Sequence, residues 1–504
     1  MIETLRRNPA FLYLLILSYF ALQVIFRLSL PPSLELDEGQ QLFLAQWLSV
    51  GYDSQPPFYN WLQYGSVQLF GNSVAALSLL KNAMLFLCYL FYGMTASLLL
   101  RNRDLAIIAT LGLITIPQIS YEAQRDLTHT VAVVFAACLF LYAFVRTLKT
   151  PSFSGYLLTG VAIGIGMISK YNFALLPAAA LVAILPEENF RRRLFDPRIM
   201  VTAAAAAVIM APHAFWFLQN TGLATERTLG KMTEGENGGL FSQVADGLFS
   251  LSAATAGFSA LTVVLFMAIF GRKFLPALRA QNEWTRLIER MLLAILIAIV
   301  GMILFAGTDY IKDRWLAPFF VILPLYLCLK VETAEIDIAG SLRRGLWVAG
   351  VLAVAVTAVL YLRVPLAAWT GDYQKVNIPF GPAIEKILAE EPHRPAVIVA
   401  DRQPLAGNIR LHVPDIPVLV PGYEQLETHA WDADNPVLLV WRRDGRENPQ
   451  RVKVLDDWLK SHPAYASLPL VVKDVGAPYH YGRDGDLYHF GYAWIYPPDE
   501  DVGP

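Results

Sequence analysis

Apolar residues in this chain come in blocks, and the length of those blocks leaves little choice of fold. Several approach the roughly 20 residues that a helix needs to cross about 30 Å of hydrocarbon. In lipid every backbone N–H and C=O must be satisfied within the protein, so a succession of such blocks predicts a bundle of transmembrane helices. Composition agrees: 55% of the 504 residues are hydrophobic and 16% are charged, where a soluble chain carries about 25% charged residues. Candidate spans fall near residues 10–30, 74–100, 105–119, 128–147, 154–169, 171–186, 199–218, 250–271, 290–307, 315–330 and 345–363. The pair 154–169 and 171–186 is short and separated only by Lys170, so it reads either as two spans or as a hairpin that stops short.

The N-terminus begins like a signal peptide, but its apolar core is too long and no small-residue cleavage site follows, which favours a retained first span. Lys and Arg then set the orientation. With Arg6 and Arg7 inside, strict alternation places Arg101, Arg103, Arg146, Lys149, Arg191–Arg193, Arg272, Lys273, Arg286, Arg290, Lys330, Arg343 and Arg344 inside as well. The opposite side is sparse, and Pro31 to Ser73 contains no Lys or Arg at all. Eleven spans put the C-terminus outside. The net charge of −2 and the absence of a basic tract give no reason to expect nucleic acid as a partner. Cys88, Cys138 and Cys328 all lie in apolar blocks without CxxC spacing, as buried small hydrophobes do.

Composition changes near residue 365. PAVIVADR, PVLLVWRRD, LPLVVKD and LYHFGYAWIY read as short strands, and PQRVKVLDDWLKSH reads as a helix. The expected organisation is a transmembrane domain over 1–364, with its first outer loop at 31–73, and a small α/β domain over 365–504 outside the cytoplasm.

The first outer loop is too long for a turn. Leu42, Phe43, Ala45, Gln46 and Trp47 start one amphipathic helix, and Phe58, Trp61, Leu62, Tyr64 and Leu69 start another, a pattern suited to helices lying on the membrane interface. Asp37 and Glu38 open the loop. A carboxylate at the membrane surface can act as general base on a hydroxyl or orient a metal; equally, acids are favoured at helix N-termini by the macrodipole. Arg125, Asp126, His129, Lys170, Tyr171, Asn172, His213, Trp216, Lys312, Asp313 and Arg314 fall on the same side. Lys81 lies about two turns inside an apolar span, where an ionisable residue is either functional or snorkels to the interface. Arg125 could pair with Asp126 and Arg314 with Asp313, or either could hold a ligand; His213 beside Trp216 could be an interfacial anchor. Together, cations and carboxylates on one face suit an anionic, lipid-linked substrate whose phosphate is held at headgroup level.

These residues resemble the GT-C superfamily of polyprenyl-phosphate-sugar glycosyltransferases. Within it, the likeness is to the bacterial branch containing aminoarabinose transferases and the rhizobial lipopolysaccharide galacturonosyltransferases, which is PMT-like. It covers roughly residues 10–330 and rests on LDEGQQLFLAQWLSVGYDSQPPFYNWLQ, SLLKNAMLF, GIGMISKYNFALLPAAALVAIL and IKDRWLAPFFVILP; ADRQPLAGNIRLHVPD is similar to the outer domain of the rhizobial-type members. The resemblance implies a GT-C fold and catalysis by Asp37, with Glu38 beside it. It implies donor-phosphate contacts from Lys81, Arg125, Lys170, Lys312 and Arg314. Tyr52, Gln55, Tyr59, Asp126, His129, Tyr171, His213 and Asp313 complete the expected substrate site. Two departures stand out. Gln55 precedes Pro56-Pro57 where aminoarabinose transferases carry Lys, and His129 replaces their second acidic position. A divalent metal would therefore have to draw its second carboxylate from Glu38, Glu122 or Asp126, and the reaction as implied requires no cofactor. The expected partners are a polyprenyl-phosphate sugar donor, a glycolipid acceptor and membrane lipids, with the chain acting as a monomer in the bacterial inner membrane and its active site periplasmic. Two rival readings remain at this point, a lipid-linked sugar flippase and a non-catalytic component of polysaccharide assembly. The absence of an internal repeat and the clustering of charge on one face count against the first.

Overall fold

The computed structural model describes residues 2–232, 239–423, 436–443, 449–461 and 470–496. Among them, seven helices are long and apolar enough to cross a membrane: Pro9–Leu28, Val74–Leu99, His129–Lys149, Ile199–Gln219, Phe241–Ala277, Glu283–Ala306 and Ser341–Leu362. The pair Arg103–Thr115 and Gln118–Arg125, bent by 67°, supplies an eighth if it is one crossing. The chain is a multi-pass membrane protein.

Four of the eleven apolar blocks do not become long unbroken helices; the one at 105–119 is the bent pair just described. Those at 154–169 and 171–186 form the short helices Phe153–Met167 and Tyr171–Ile184. The block at 315–330 is broken into the turn Asp313–Trp315 and the helices Ala317–Phe320 and Leu323–Thr333. Proline is the cause. Pro318 and Pro324 each sit in the first turn of a helix, where a missing N–H costs nothing, so each starts a new element instead of continuing the old one. Pro117 stands at the break of the bent pair for the same reason.

The fold gathers into two compact units. The first comprises Met1–Leu22, Ser49–Tyr59 and Lys81–Thr357. The second comprises Gln23–Leu48, Asn60–Leu80 and Ala358–Pro504, so much of the first loop groups with the C-terminal residues.

In the first unit the helix His129–Lys149 is the most enclosed of the spans, with 78% of its apolar window buried. Phe153–Met167 packs on it and on Ile199–Gln219. Gly160 and Gly164 permit the second contact: a Cβ on Gly160 would lie 2.3 Å from the Thr202 carbonyl oxygen, and one on Gly164 would lie 2.7 Å from Ile209 Cβ. Small residues four apart let two helices approach backbone to backbone where lipid offers no hydrophobic drive. Cys88, Cys138 and Cys328 are buried free thiols.

The second unit contains a five-stranded mixed sheet in the order β2-β1-β3-β5-β4, with β1 Val397–Ala400, β2 Val418–Leu419, β3 Val437–Arg443, β4 Lys473–Pro478 and β5 Leu487–Ile495. β1 runs parallel to β2 and β3, while β5 is antiparallel to β3 and β4. Val397, Val399, Leu439, Trp441, Leu455 and Trp458 build its core, the last two from the helix Pro449–Lys460. The segment LPLVVKD departs from its expected strand. The ladder with β5 starts only at Lys473↔Tyr492, and Val471 and Val472 stay exposed. A smaller core, Leu34, Leu42, Ala45, Val67, Ala76 and Leu77, joins the first-loop helices Leu36–Leu44 and Phe58–Phe70 to the start of Val74–Leu99.

Candidate active site

Three carboxylates open the helix Leu36–Leu44, and the structure treats them differently. Glu35 is the N-cap and forms a capping box with Glu38, so each carboxylate meets the other's backbone N–H. Such a box satisfies donors that the first helical turn leaves over. Glu38 is buried and also accepts from Arg27 Nη2 at 3.0 Å. Glu35 accepts from Arg363 Nη2 at 3.0 Å, and Arg363 Nη1 donates to Gln374 Oε1 at 3.1 Å. Arg27 further donates to the Ser33 carbonyl at 2.8 Å. Both glutamates thus carry a guanidinium partner and fix the helix start. Asp37 sits between them on the first turn, half-buried. Of the two residues expected to be catalytic, Glu38 is committed to holding the helix.

The remaining expected site residues belong to the first unit. Lys81 is buried in its helix, and its Nζ donates to the Gln124 carbonyl at 3.1 Å rather than snorkelling; Gln124 Nε2 donates in turn to Asn82 Oδ1. Lys170 Nζ donates to Thr130 Oγ1 at 3.2 Å, one residue past His129. His129 is buried at the start of its helix, its ring 6.0 Å from that of Tyr59. Asn172 Nδ2 donates to the Trp315 carbonyl at 2.9 Å, and Gln118 Nε2 donates to Asp313 Oδ2 at 2.6 Å. These bonds bring Lys81, the 122–130 segment, the Lys170–Asn172 turn and the Lys312–Trp315 turn into one neighbourhood.

Neither of the two candidate ion pairs forms. Arg125 Nη2 pairs with Glu122 at 2.8 Å and not with Asp126, because residues three apart share a helix face and adjacent ones do not. Asp126 is half-buried just past the last turn. Asp313 accepts from the Arg314 backbone N–H at 2.6 Å, not from its side chain. The half-buried Arg314 guanidinium makes no ion pair among the described residues. Lys312 Nζ lies 5.3 Å from the centre of the Tyr310 ring.

An aromatic stack holds the loop residues of this unit. Tyr171 lies on His213 at 5.9 Å and 17°, and His213 lies on Trp216 at 5.5 Å and 18°. His213 Nδ1 is 2.9 Å from the Val50 carbonyl and Nε2 is 3.2 Å from the Tyr171 hydroxyl. A carbonyl only accepts, so Nδ1 carries a proton toward Val50, and when the ring is neutral Nε2 accepts from the Tyr171 hydroxyl. Tyr52 accepts from the Ser49 N–H at 3.1 Å, and Asp53 accepts from the Gln55 N–H at 3.2 Å, folding the loop on itself. Arg27, Glu35, Arg363 and Gln118 were not among the expected site residues. Glu35 stood in the first outer loop, and Asn172 was already grouped with Lys170 and Tyr171. Among the described residues no group of three His, Cys, Asp or Glu side chains is gathered as a metal site.

With this geometry in place, relatives decide the family. The chain is 46% identical over 498 residues to the lipopolysaccharide core galacturonosyltransferase RgtB of Rhizobium johnstonii, a match spanning 99% of this chain and 100% of that protein. The chain belongs to the GT-C polyprenyl-phosphate-sugar glycosyltransferases. The lipopolysaccharide core galacturonosyltransferase RgtA of the same organism is 42% identical over 502 residues, covering 99% of each chain. Residues 54–216 match the family model for dolichyl-phosphate-mannose-protein mannosyltransferase. The crystal structure of ArnT from Cupriavidus metallidurans bound to undecaprenyl phosphate superposes with a TM-score of 0.60 at 14% identity, covering 96% of this chain and 98% of that one. That likeness concerns the fold. The chain is a membrane glycosyltransferase, and neither a flippase nor a non-catalytic assembly component accounts for it.

Proposed function

We propose that the enzyme transfers galacturonic acid from a polyprenyl-phosphate donor to the core or lipid A part of lipopolysaccharide, at the periplasmic face of the bacterial inner membrane. The observation that carries this reading is end-to-end similarity to a lipopolysaccharide core galacturonosyltransferase at 46% identity. The undecaprenyl phosphate held by the structurally similar ArnT supports the donor class. The sparse Lys and Arg of the segments read as outer support the sidedness.

In this mechanism Asp37 takes the proton of an acceptor hydroxyl. The hydroxyl oxygen bonds to the anomeric carbon as the bond from that carbon to the phosphate oxygen breaks, and configuration inverts. The electron pair leaves with the polyprenyl phosphate, whose growing negative charge is met by cations. Arg314, with no internal ion pair among the described residues, is the foremost of these; Lys170 and Lys81 assist, and Lys312 and Arg125 lie on the flanking turns. Charge placed in advance where the transition state needs it contributes more than charge that must reorganise. Tyr52, Gln55, Tyr59, Asp126, His129, Tyr171, His213 and Asp313 are assigned to substrate binding, and residues 1–364 act as the catalytic domain with 365–504 outside the membrane. Glycolipids of a deletion strain, read by mass spectrometry, test the assignment. Galacturonate should be lost from the core or lipid A and return with the gene; an unchanged profile would reject it.

A further inference from the structure

The helix that carries Asp37 is nine residues long, too short to be stable alone, since isolated helices below about 12–15 residues are marginal in water. Its direction must be imposed by what it packs against. Within the second unit its principal partner is the helix Gln403–His412, which follows β1.

The two helices meet at a pair of glycines. A Cβ on Gly407 would fall 1.8 Å from the Gly39 carbonyl oxygen, and one on Gly39 would fall 2.6 Å from the Pro404 carbonyl oxygen. No side chain fits at the crossing, so the backbones themselves are in contact. Asn408, buried to 2% exposure, completes the junction. Its Oδ1 accepts from the Leu34 N–H at 2.7 Å, and its Nδ2 donates to the carbonyls of Leu34 at 3.4 Å and Pro404 at 2.8 Å. One amide thus pairs with both backbone groups of the residue just before the capping box. At the far end, Arg410 Nη1 donates to the Leu42 carbonyl at 2.5 Å. Beyond it the Gln46 amide donates to the Val418 carbonyl at 2.8 Å and accepts from the Val418 N–H at 3.4 Å, closing the outer edge of β2. Ser33 Oγ donates to the Ile378 carbonyl at 2.7 Å.

We infer that the C-terminal α/β segment is the positioning element of the catalytic helix, with Asn408 as its chief positioning residue. The inference rests on the proposed role of Asp37. It explains why a glycosyltransferase of this kind carries a sheet remote in sequence from its acid: the sheet and its helix fix the start, middle and end of Leu36–Leu44 through backbone contacts. Asn408 itself touches no substrate in this account. It acts through Leu34, and therefore on turnover and not on donor binding.

The test uses full-length protein in nanodiscs, with undecaprenyl-phosphate galacturonic acid as donor and purified lipopolysaccharide lacking core galacturonate as acceptor. Asn408→Ala should lower kcat at least tenfold while the donor KM stays within twofold. Hydrogen exchange should accelerate across residues 36–44 and leave His129–Lys149 protected. Arg410→Met, which keeps an apolar stem and removes the donor to Leu42, should act in the same direction more weakly, and it carries the test if Asn408→Ala does not fold. Wild-type exchange at 36–44 in the folded variants would overturn the inference. So would wild-type kcat in the folded variants alongside an inactive Asp37→Asn, or a loss of protection that extends to His129–Lys149. An active Asp37→Asn would instead reject the role of Asp37, and exchange alone would then decide whether the segment positions the helix.

Discussion

Arg27 Nη2 stands 3.0 Å from Glu38 Oε2, with only 9% of the one side chain and 2% of the other open to solvent. A pair so enclosed is a commitment, because removing one partner leaves the other charge buried and uncompensated. Replacing Arg27 by Met should therefore destabilise the folded protein by about 3–5 kcal/mol. Apolar replacement of both residues should recover much of that loss, since a well-packed apolar pair is often as stable as the ion pair it replaces. Thermal unfolding of the single and double variants checks both statements.

Arg314 makes no ion pair among the described residues, so its removal should leave the fold intact and act on donor use. One charge-assisted hydrogen bond is worth about 1.5–3 kcal/mol, which corresponds to a fall in kcat/KM of roughly 10–150-fold for Arg314→Gln. Arg314→Lys should restore part of the activity but not all, because an ammonium lacks the planar fork that grips phosphate. Steady-state kinetics with varied donor, beside an unchanged melting temperature, is the measurement.

Gly51 faces the ring of Trp216 so closely that a Cβ there would come 2.0 Å from it. Gly51→Ala should push the loop away from the stack of Tyr171, His213 and Trp216, at a cost of about 1–3 kcal/mol as for other overpacked sites. Tyr171→Phe deletes only the hydrogen bond to His213 and should cost about 1 kcal/mol. Stability and transfer activity of the two variants, compared side by side, separate the packing from the hydrogen bond.

Burial holds the His412 imidazole below its ordinary value of 6.5, despite the raising influence of the Pro32 carbonyl and of Glu385. Burial lowers His480 likewise. An unfolded chain takes up these protons as pH falls through 6.5 and the folded one resists until lower pH. The stability tied to the neutral rings is thus complete above 6.5 and is lost as pH falls from there toward the folded values. Unfolding followed between pH 8 and pH 5 should show a decline below 6.5, and His412→Gln should flatten it.

Much of this was legible in the residues, and the limits have physical causes. Apolar blocks announced a membrane bundle because composition alone reports transfer into lipid, but block counting does not see where proline ends one helix and begins another, as at Pro117, Pro318 and Pro324. Glu122 could have been found as the partner of Arg125 from helical spacing; the adjacent Asp126 looked nearer in sequence and is not on the same face. The partners of the acidic helix were out of reach. Arg363 lies 328 residues from Glu35, and Asn408 lies 374 residues from Leu34. Nothing local in either residue marks it as a neighbour of the first loop. The partner of Glu38 was equally hidden, since Arg27 lies eleven residues earlier at the end of the first span.

Asp37 carries the central claim, and one comparison tests it most directly. Purified Asp37→Asn and wild-type enzyme, each in nanodiscs with undecaprenyl-phosphate galacturonic acid and a lipopolysaccharide acceptor, should be assayed for transfer by mass spectrometry. The account predicts an asparagine variant that folds with an unchanged melting temperature and whose turnover falls by at least 100-fold, roughly the contribution expected of a positioned general base. Turnover at the wild-type rate in the folded Asp37→Asn protein would contradict it.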